Sequence, residues 1–258
     1  MTAIDGGVTL LAPGGAYVPE ARALVVADLH AGYVRTLQRR GYTLPTQGDD
    51  ALHERLRAMF ARADVARVVV AGDLVHGLPA LAGRGGARSP LDALLDALAG
   101  RALTVVPGNH DRGAHDLLAR RGVEVTPCAE VGPHVVLHGD EDVDRLRGER
   151  ALALGRGGSL MVGHHHPALT LDDGAGARQR VAAFAHAPGL LCLPALAPLA
   201  RGADLLREDY AEGICALATA RELSVAVVVG AAVIPVGTLA RVRATYKGAP
   251  SGAALRRR

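Results

Sequence analysis

Tryptophan is absent from this chain of 258 residues, phenylalanine occurs twice, and aromatic residues make up only 3%. A core built on large rings is therefore excluded, and the 49% hydrophobic content must fill the interior with leucine, valine and alanine. Lysine is nearly absent too: Lys247 is the only one, and arginine carries the rest of the basic charge. The net charge is a mere +3 and the pI is near 9.0, which permits an anionic partner without demanding one. Cys128, Cys192 and Cys215 are odd in number and widely spaced. They exclude a disulfide framework and fit reduced, small apolar residues in a cytoplasmic protein. The N-terminus lacks the basic-then-apolar pattern of a signal peptide. The most apolar stretch, Leu223 to Val236, is broken by Gly230 and Pro235. It falls short of the ~20 residues needed to span a bilayer, so it reads as strands and no membrane association is expected.

What is present is a set of five short apolar runs, each ending in metal-seeking residues. Ala23–Ala27 precedes Asp28-Leu29-His30, and Arg67–Ala71 precedes Gly72-Asp73. Leu103–Val106 leads into Pro107-Gly108-Asn109-His110-Asp111. Val135–Leu137 ends at His138, and Ser159–Val162 at Gly163-His164-His165-His166. Short β-branched runs of this kind read as buried strands. In sheets covered by other layers, sites form just beyond the carboxyl ends of the strands. Five loops that all deliver Asp, Asn or His to one edge would build one site.

Between these runs, helical spacing appears. Residues 49 to 63 place Leu52, Leu56, Met59 and Phe60 on one face, with Asp49 or Asp50 able to cap. Ser89-Pro90-Leu91-Asp92 is a helix start, Leu91, Leu94, Leu95 and Leu98 share a face, and Gly100 can close the helix. A short helix is expected from Gly113 to Arg121. Later, strand-like runs follow one another at 123–126, 134–138, 159–163, 179–185, 190–193, 213–219, 223–229 and 232–240. The expectation is a layered α/β sandwich, mostly antiparallel in its second half, as one domain over residues 1–246. Residues 77 to 88 read as a mobile loop beside the site, and 247–258 as a flexible basic tail.

The chemistry of the five loops is consistent. Asp28 and His30 fall on the same side of an extended segment and can grip one ion. His164 and His166 repeat that spacing and could serve two adjacent ions, which Asp73 is suited to bridge. Asn109 adds an amide oxygen and His138 another nitrogen. Two carboxylates, one amide and four imidazoles are too many for one catalytic ion. The mixture favours Mn²⁺, with Fe or Zn²⁺ as alternatives, over Ca²⁺ or Mg²⁺. Two such ions about 3.5–4 Å apart are suited to displacement at phosphorus by a shared water held as hydroxide. In-line attack needs a general acid at the leaving oxygen. His110, next to the ligand Asn109 and pointing away from it, is the candidate, with Asp111 orienting its ring.

These residues resemble the calcineurin-like metallophosphoesterase family. The matching pattern is Asp28-Leu29-His30, Gly72-Asp73, Gly108-Asn109-His110-Asp111, His138 and Gly163-His164-His165-His166, in the family's order. The ICC-like phosphoesterases of bacteria and archaea, including the DNA-ligase-associated ones, are the most similar branch. Asp28-Leu29-His30-Ala31-Gly32 and Leu193-Pro194-Ala195-Leu196-Ala197-Pro198-Leu199 with Gly202 extend the likeness to that branch. The resemblance implies a four-layer α/β/β/α sandwich with mixed sheets. It implies one ion held by Asp28, His30, Asp73 and His166, a second by Asp73, Asn109, His138 and His164, and His110 as the acid. It also implies association with DNA-repair proteins, although no appended DNA-binding domain of the break-repair nucleases is recognisable.

His76, Arg112, Arg84 and Arg88 are the candidate substrate contacts. His165 alternates away from its neighbours and is expected to face outward or line the rim. His53, His115, His134 and His186 read as ordinary structural histidines. The expected function is two-metal hydrolysis of a phosphodiester in short or single-stranded DNA or RNA. A phosphomonoesterase (nucleotidase) or cyclic-nucleotide phosphodiesterase is the alternative, and a metal-dependent non-catalytic binding subunit a remote one.

Overall fold

The structure is a computed structural model that describes residues 1–44, 48–77, 88–111, 113–172, 174–207, 209 and 211–248. Its first sheet holds β1 (Thr2–Ile4), β2 (Val8–Leu11), β3 (Gly15–Val18), β4 (Ala23–Val26), β5 (Arg67–Ala71), β6 (Ala102–Val106) and β7 (Glu124–Val125), in that spatial order. The strands pair antiparallel from β1 to β4 and parallel from β4 to β7. Among the described residues, four α-helices belong to this half: α1 (Tyr33–Arg39), α2 (Gly48–Phe60), α3 (Pro90–Ala97) and α4 (His115–Arg120).

The second sheet is mixed. Its strands are β8 (Ala129–Val131), β9 (His134–Leu137), β10 (Leu160–Val162), β11 (Pro167–Asp172), β12 (Arg178–Ala187), β13 (Leu190–Cys192), β14 (Ala203–Asp204), β15 (Ser224–Val229) and β16 (Ala232–Thr238). The order is β14-β11-β12-β13-β10-β9-β8, with β15 and then β16 added beside β12. β9, β10 and β13 run parallel, as do β11 and β14, and the remaining pairs are antiparallel. Helices α5 (Val143–Gly155), α6 (Glu212–Leu217) and α7 (Leu239–Gly248) complete it.

Period-two alternation explains the layers. Leu24, Val26, Val68 and Val70 face a core shared with Leu52, Leu56, Leu91, Leu94 and Leu118 of the first helices. Their neighbours Ala23, Val25, Val69 and Ala71 face the second sheet, where Val136, Met161, Phe184 and Leu191 meet them. On the far side, Val135, Leu137, Leu160, Val162 and Cys192 pack under Leu146, Ile214, Leu217 and Leu239. Three cores between four layers give the α/β/β/α sandwich. Each fully buried leucine here contributes roughly 1.5–3 kcal/mol, so the missing tryptophans are replaced by many small contributions.

The expected helices form. Ser89 accepts from the Asp92 amide at 3.0 Å and caps α3, and Gly100 adopts φ +81° just beyond it. Asp49 does not cap α2: its Oδ1 accepts from the Gly32 amide at 3.1 Å, tying α2 to the loop after His30. Two expectations need correction. Residues 213–219 are largely helical, because Ile214, Leu217 and Ala218 cover the sheet from outside; a short apolar run does not distinguish the two states. The strand expected over 232–240 stops at Thr238, and α7 begins at Leu239. Helix α5 carries almost no apolar stripe, with Leu146 and Ala153 its buried residues, so its sequence does not announce it. The expected boundary after residue 246 falls inside α7, and 249–258 lie outside the described residues.

Loops at one edge are stitched together like strand extensions. The Asp28, His30 and Ala31 amides donate to Gly72 O, Asp73 O and Leu74 O at 3.1, 2.8 and 3.0 Å. Gly163 N donates to His138 O at 2.9 Å. The segment after β13 crosses to the first sheet, where Leu196 N and Ala197 N donate to Ala27 O and Asp28 O. Both sheets therefore deliver their carboxyl-end loops to one place.

Candidate metal centre

Six non-glycine residues among those described have positive φ, and five of them are Asp28 (54°), His30 (45°), Asp73 (50°), His164 (58°) and His166 (42°). The left-handed region is uncommon for side chains of this size and clusters at functional sites. Here it turns each side chain inward as its strand ends. Glycine allows the approach: a Cβ on Gly72 would overlap the His138 ring, and one on Gly108 would lie 2.8 Å from His138 Nε2. At Gly163 it would meet Ala27 Cβ, Ala71 O and Asp28 Oδ2, each at 2.7 Å.

All seven expected ligands converge. His166 Nε2 lies 3.2 Å from Asp28 Oδ1, and His30 Nε2 lies 3.6 Å from Asp73 Oδ2. The same Asp73 oxygen is 3.7 Å from His138 Nε2, so it stands between two imidazoles. Asn109 Oδ1 and His164 Nδ1 are each 3.3 Å from His138 Nε2. Backbone amides hold the carboxylates in place: His110 N donates to Asp73 Oδ1 at 2.9 Å, and His164 N to Asp28 Oδ2 at 3.0 Å. Asp28 and Asp73 are 0% and 2% exposed.

This donor set fits cations. The Nδ1–H of His138 donates to Ala71 O at 3.2 Å, which turns Nε2 toward the other ligands. There Nε2 faces Asn109 Oδ1 and Asp73 Oδ2. Asp28 Oδ1 is buried and makes no well-directed hydrogen bond. Desolvation lowers the His30 pKa to about 2, helped by His166, His76 and His110, and lowers that of His164 as well. The His30 and His164 rings are thus held as neutral donors, the form a metal requires. Burial raises the Asp73 pKa. Burial also opposes charging of His166, but the Asp28 carboxylate outweighs it and the net shift is upward.

His110 sits beside this set, its ring 5.1 Å from His30. His76 joins it: the rings stack at 4.6 Å and 23°, and His76 Nδ1 is 3.1 Å from His30 Nδ1. Burial, then the charge of His110, lowers the His76 pKa to about 4. Asp111 is placed differently from the expectation. Its fully buried carboxylate accepts from the amides of Gly108 (2.9 Å), Val75 (3.0 Å) and Leu74 (3.2 Å), not from the His110 ring. It clamps the loops after β5 and β6, and burial raises its pKa against those three amides. His165 does not face outward: its Nε2 is buried and its ring lies against Gly213 of α6. Arg88 is ion-paired with Asp96. Arg84 and Arg112 lie outside the described residues.

Two depressions open beside the centre. One, of about 640 Å³, is lined by His30, Tyr33, Tyr42, His76 and His110. The other, of about 610 Å³, runs along Thr170, Arg178, Arg180 and Pro198. His166, Leu199, Ala200 and Arg201 line both. Tyr33, Tyr42 and Arg201 are not among the site residues expected from sequence. Arg201 does stand just after the Leu193–Leu199 motif, which is the signal for it.

The model of the calcineurin-like phosphoesterase family matches residues 21–188, more than half of the chain. The chain belongs to the calcineurin-like phosphoesterase family. It is a metal-dependent phosphoester hydrolase, with a buried Asp and His cluster able to hold the metal. The phosphoesterase also resembles the crystal structure of the Pseudomonas putida nuclease MPE, with a TM-score of 0.62 and 22% identity over 89% of this chain and 94% of that one. No curated protein matches it. Among the described residues, no helix is long and apolar enough to cross a membrane.

Proposed function

We propose that this phosphoesterase hydrolyses phosphodiester bonds in short or single-stranded nucleic acid, using two divalent ions, Mn²⁺ in the first place. One observation carries the diester reading: the centre opens on both sides, with a depression to either hand of His166. A monoester needs room on one side of phosphorus, whereas a diester within a strand needs room on both. The structural relative from Pseudomonas putida is a nuclease, which agrees with this reading.

Asp28, His30, Asp73 and His166 would hold one ion, and Asp73, Asn109, His138 and His164 the other. When bound, such a pair supplies an acidified water and neutralises charge on the phosphoryl oxygens. His110 holds the proton for the leaving oxygen. Its backbone amide is fixed by Asp73 and its ring by stacking on His76, which Tyr33 backs at 4.4 Å. His76 also fixes the His30 ring through the Nδ1 contact. Mixed carboxylate, amide and imidazole donors favour Mn²⁺, then Fe or Zn²⁺. The unpaired cysteines suit the cytoplasm, and the ICC-like resemblance suits partners in DNA repair.

The test is turnover of bis-p-nitrophenyl phosphate against p-nitrophenyl phosphate with Mn²⁺, followed by a single-stranded oligonucleotide. Diester turnover together with oligonucleotide cleavage supports the proposal. Brisk monoester turnover without oligonucleotide cleavage would replace it with a phosphomonoesterase.

A further inference from the structure

We infer that Arg201 is the residue by which this site favours a nucleic-acid strand over a small phosphodiester, by binding a phosphate adjacent to the one being cleaved. The inference rests on the diesterase reading above.

Arg201 occupies the ridge shared by the two depressions, beside His166. A strand laid through both depressions must pass over it. Arg201 is exposed and makes no hydrogen bond or ion pair among the described residues. The other arginines of the groove are engaged. Arg178 pairs with Asp172 at 3.0 Å and bonds the Tyr246 hydroxyl at 2.7 Å. Arg180 donates to Gly202 O at 3.2 Å and lies 3.8 Å from the buried Asp204. Among the described residues, Arg201 is therefore the groove cation whose charge is free for an external anion.

The two residues that follow it anchor the loop. Ala203 N donates to His166 O at 2.7 Å, and Arg180 holds the carbonyl of Gly202. Gly202 has φ +66°, and a Cβ there would stand 2.6 Å from His166 O. The loop that presents Arg201 is thus seated on the backbone of a residue in the metal cluster. The base of the Arg201 side chain is thus placed beside the centre in advance, and the exposed guanidinium is left to be ordered by the arriving strand. Arg178 and Arg180 continue the positive edge away from the centre. In the opposite direction, Tyr33 and Tyr42 offer faces on which a base can stack, and Tyr42 is 60% exposed. The arrangement has a polarity: phosphate contacts on one side of the cleaved bond, base contacts on the other.

The experiment compares wild type, Arg201→Ala and Arg201→Lys on a single-stranded oligonucleotide and on bis-p-nitrophenyl phosphate, in Mn²⁺ and across a salt series. Melting temperature and metal content verify that the variants are folded and loaded. The ratio of the two kcat/KM values should fall by about tenfold in Arg201→Ala, the low end for a charge-assisted contact at an exposed site. The lysine variant should recover part of it. The dependence of log affinity on log salt should become shallower by about 0.7, the value for one phosphate contact on a single strand. A ratio within about twofold of wild type, or equal losses on both substrates, would overturn the inference. The second result would place Arg201 on the cleaved phosphate itself. Failure of the diesterase reading looks different: wild type would then cleave no oligonucleotide at all, and the inference would fall with it.

Discussion

Asp111 separates two accounts of the site. In one it orients His110, and its loss would be a loss of turnover. In the structure it accepts from three backbone amides in a fully buried setting. Replacing it with alanine strands all three donors. A buried donor left unmade costs about 1–3 kcal/mol, so Asp111→Ala should destabilise the fold by roughly 3–6 kcal/mol once some water enters. That is a large share of the ~5–15 kcal/mol of a typical domain. Asp111→Asn is the finer probe. Its one oxygen can keep the two bonds made by Oδ2, but its NH₂ group then faces the Val75 amide, donor against donor. The expected cost is about 1–3 kcal/mol. Urea unfolding of the metal-free protein measures both. Metal affinity should weaken in parallel, because Gly108 and Leu74 belong to the loops that carry Asn109 and Asp73. An Asp111→Asn protein with unchanged stability and metal binding but greatly reduced turnover would refute the clamp and reinstate the orienting role.

Three further outcomes follow from the geometry. Elemental analysis after Mn²⁺ loading should give about two equivalents per chain, and Asp73→Asn should lower it; an unchanged value would end the bridging role of Asp73. His110→Asn should lower kcat by roughly 10²–10⁴ with metal content preserved, and by less for good leaving groups, which need little protonation. Equal losses across leaving groups would show that His110 only binds phosphate. Burial lowers the pKa of His134, whose Nδ1 accepts from Ser159 N at 3.1 Å. The unfolded chain therefore binds the extra proton, and stability is full above the unfolded value of about 6.5 and falls as pH drops below it. Thermal midpoints of metal-free protein between about pH 7 and pH 5 should show this slope, and His134→Gln should flatten it; an unchanged slope would locate the effect in the other buried histidines.

The strand-end ligands are legible in the sequence because a buried strand has a simple signature and each is followed at once by Asp, Asn or His. The four layers are legible for the same reason, in the alternation of Leu24, Val25 and Val26 and of Val68, Val69 and Val70. Helix α5 is hidden because Arg145, Arg147, Glu149 and Arg150 cover it with charge and two small contacts secure it. Helix α6 is hidden because its apolar run suits either state. The role of Asp111 escapes a sequence reading, since two of its three partners are backbone amides 36 and 37 positions away, which carry no side-chain signal. Tyr33 escapes it because a single tyrosine carries no pattern, and the motif just before Arg201 marks the loop without showing that two depressions meet there. His76 is the reverse case, three positions after Asp73 and found beside the reacting groups.

The hydrogen bond from His164 N to Asp28 Oδ2 spans 136 positions of chain and joins loops from opposite sheets. Neither half of the sandwich can assemble the centre alone. The site is complete only once the two sheets have come together across this long span of chain. Any ion taken up there fastens one sheet to the other, and its binding free energy is added to the seam between them. Occupancy of the centre thus reports a finished fold, and a chain truncated before His164 would keep five of its seven ligands with nothing to close them.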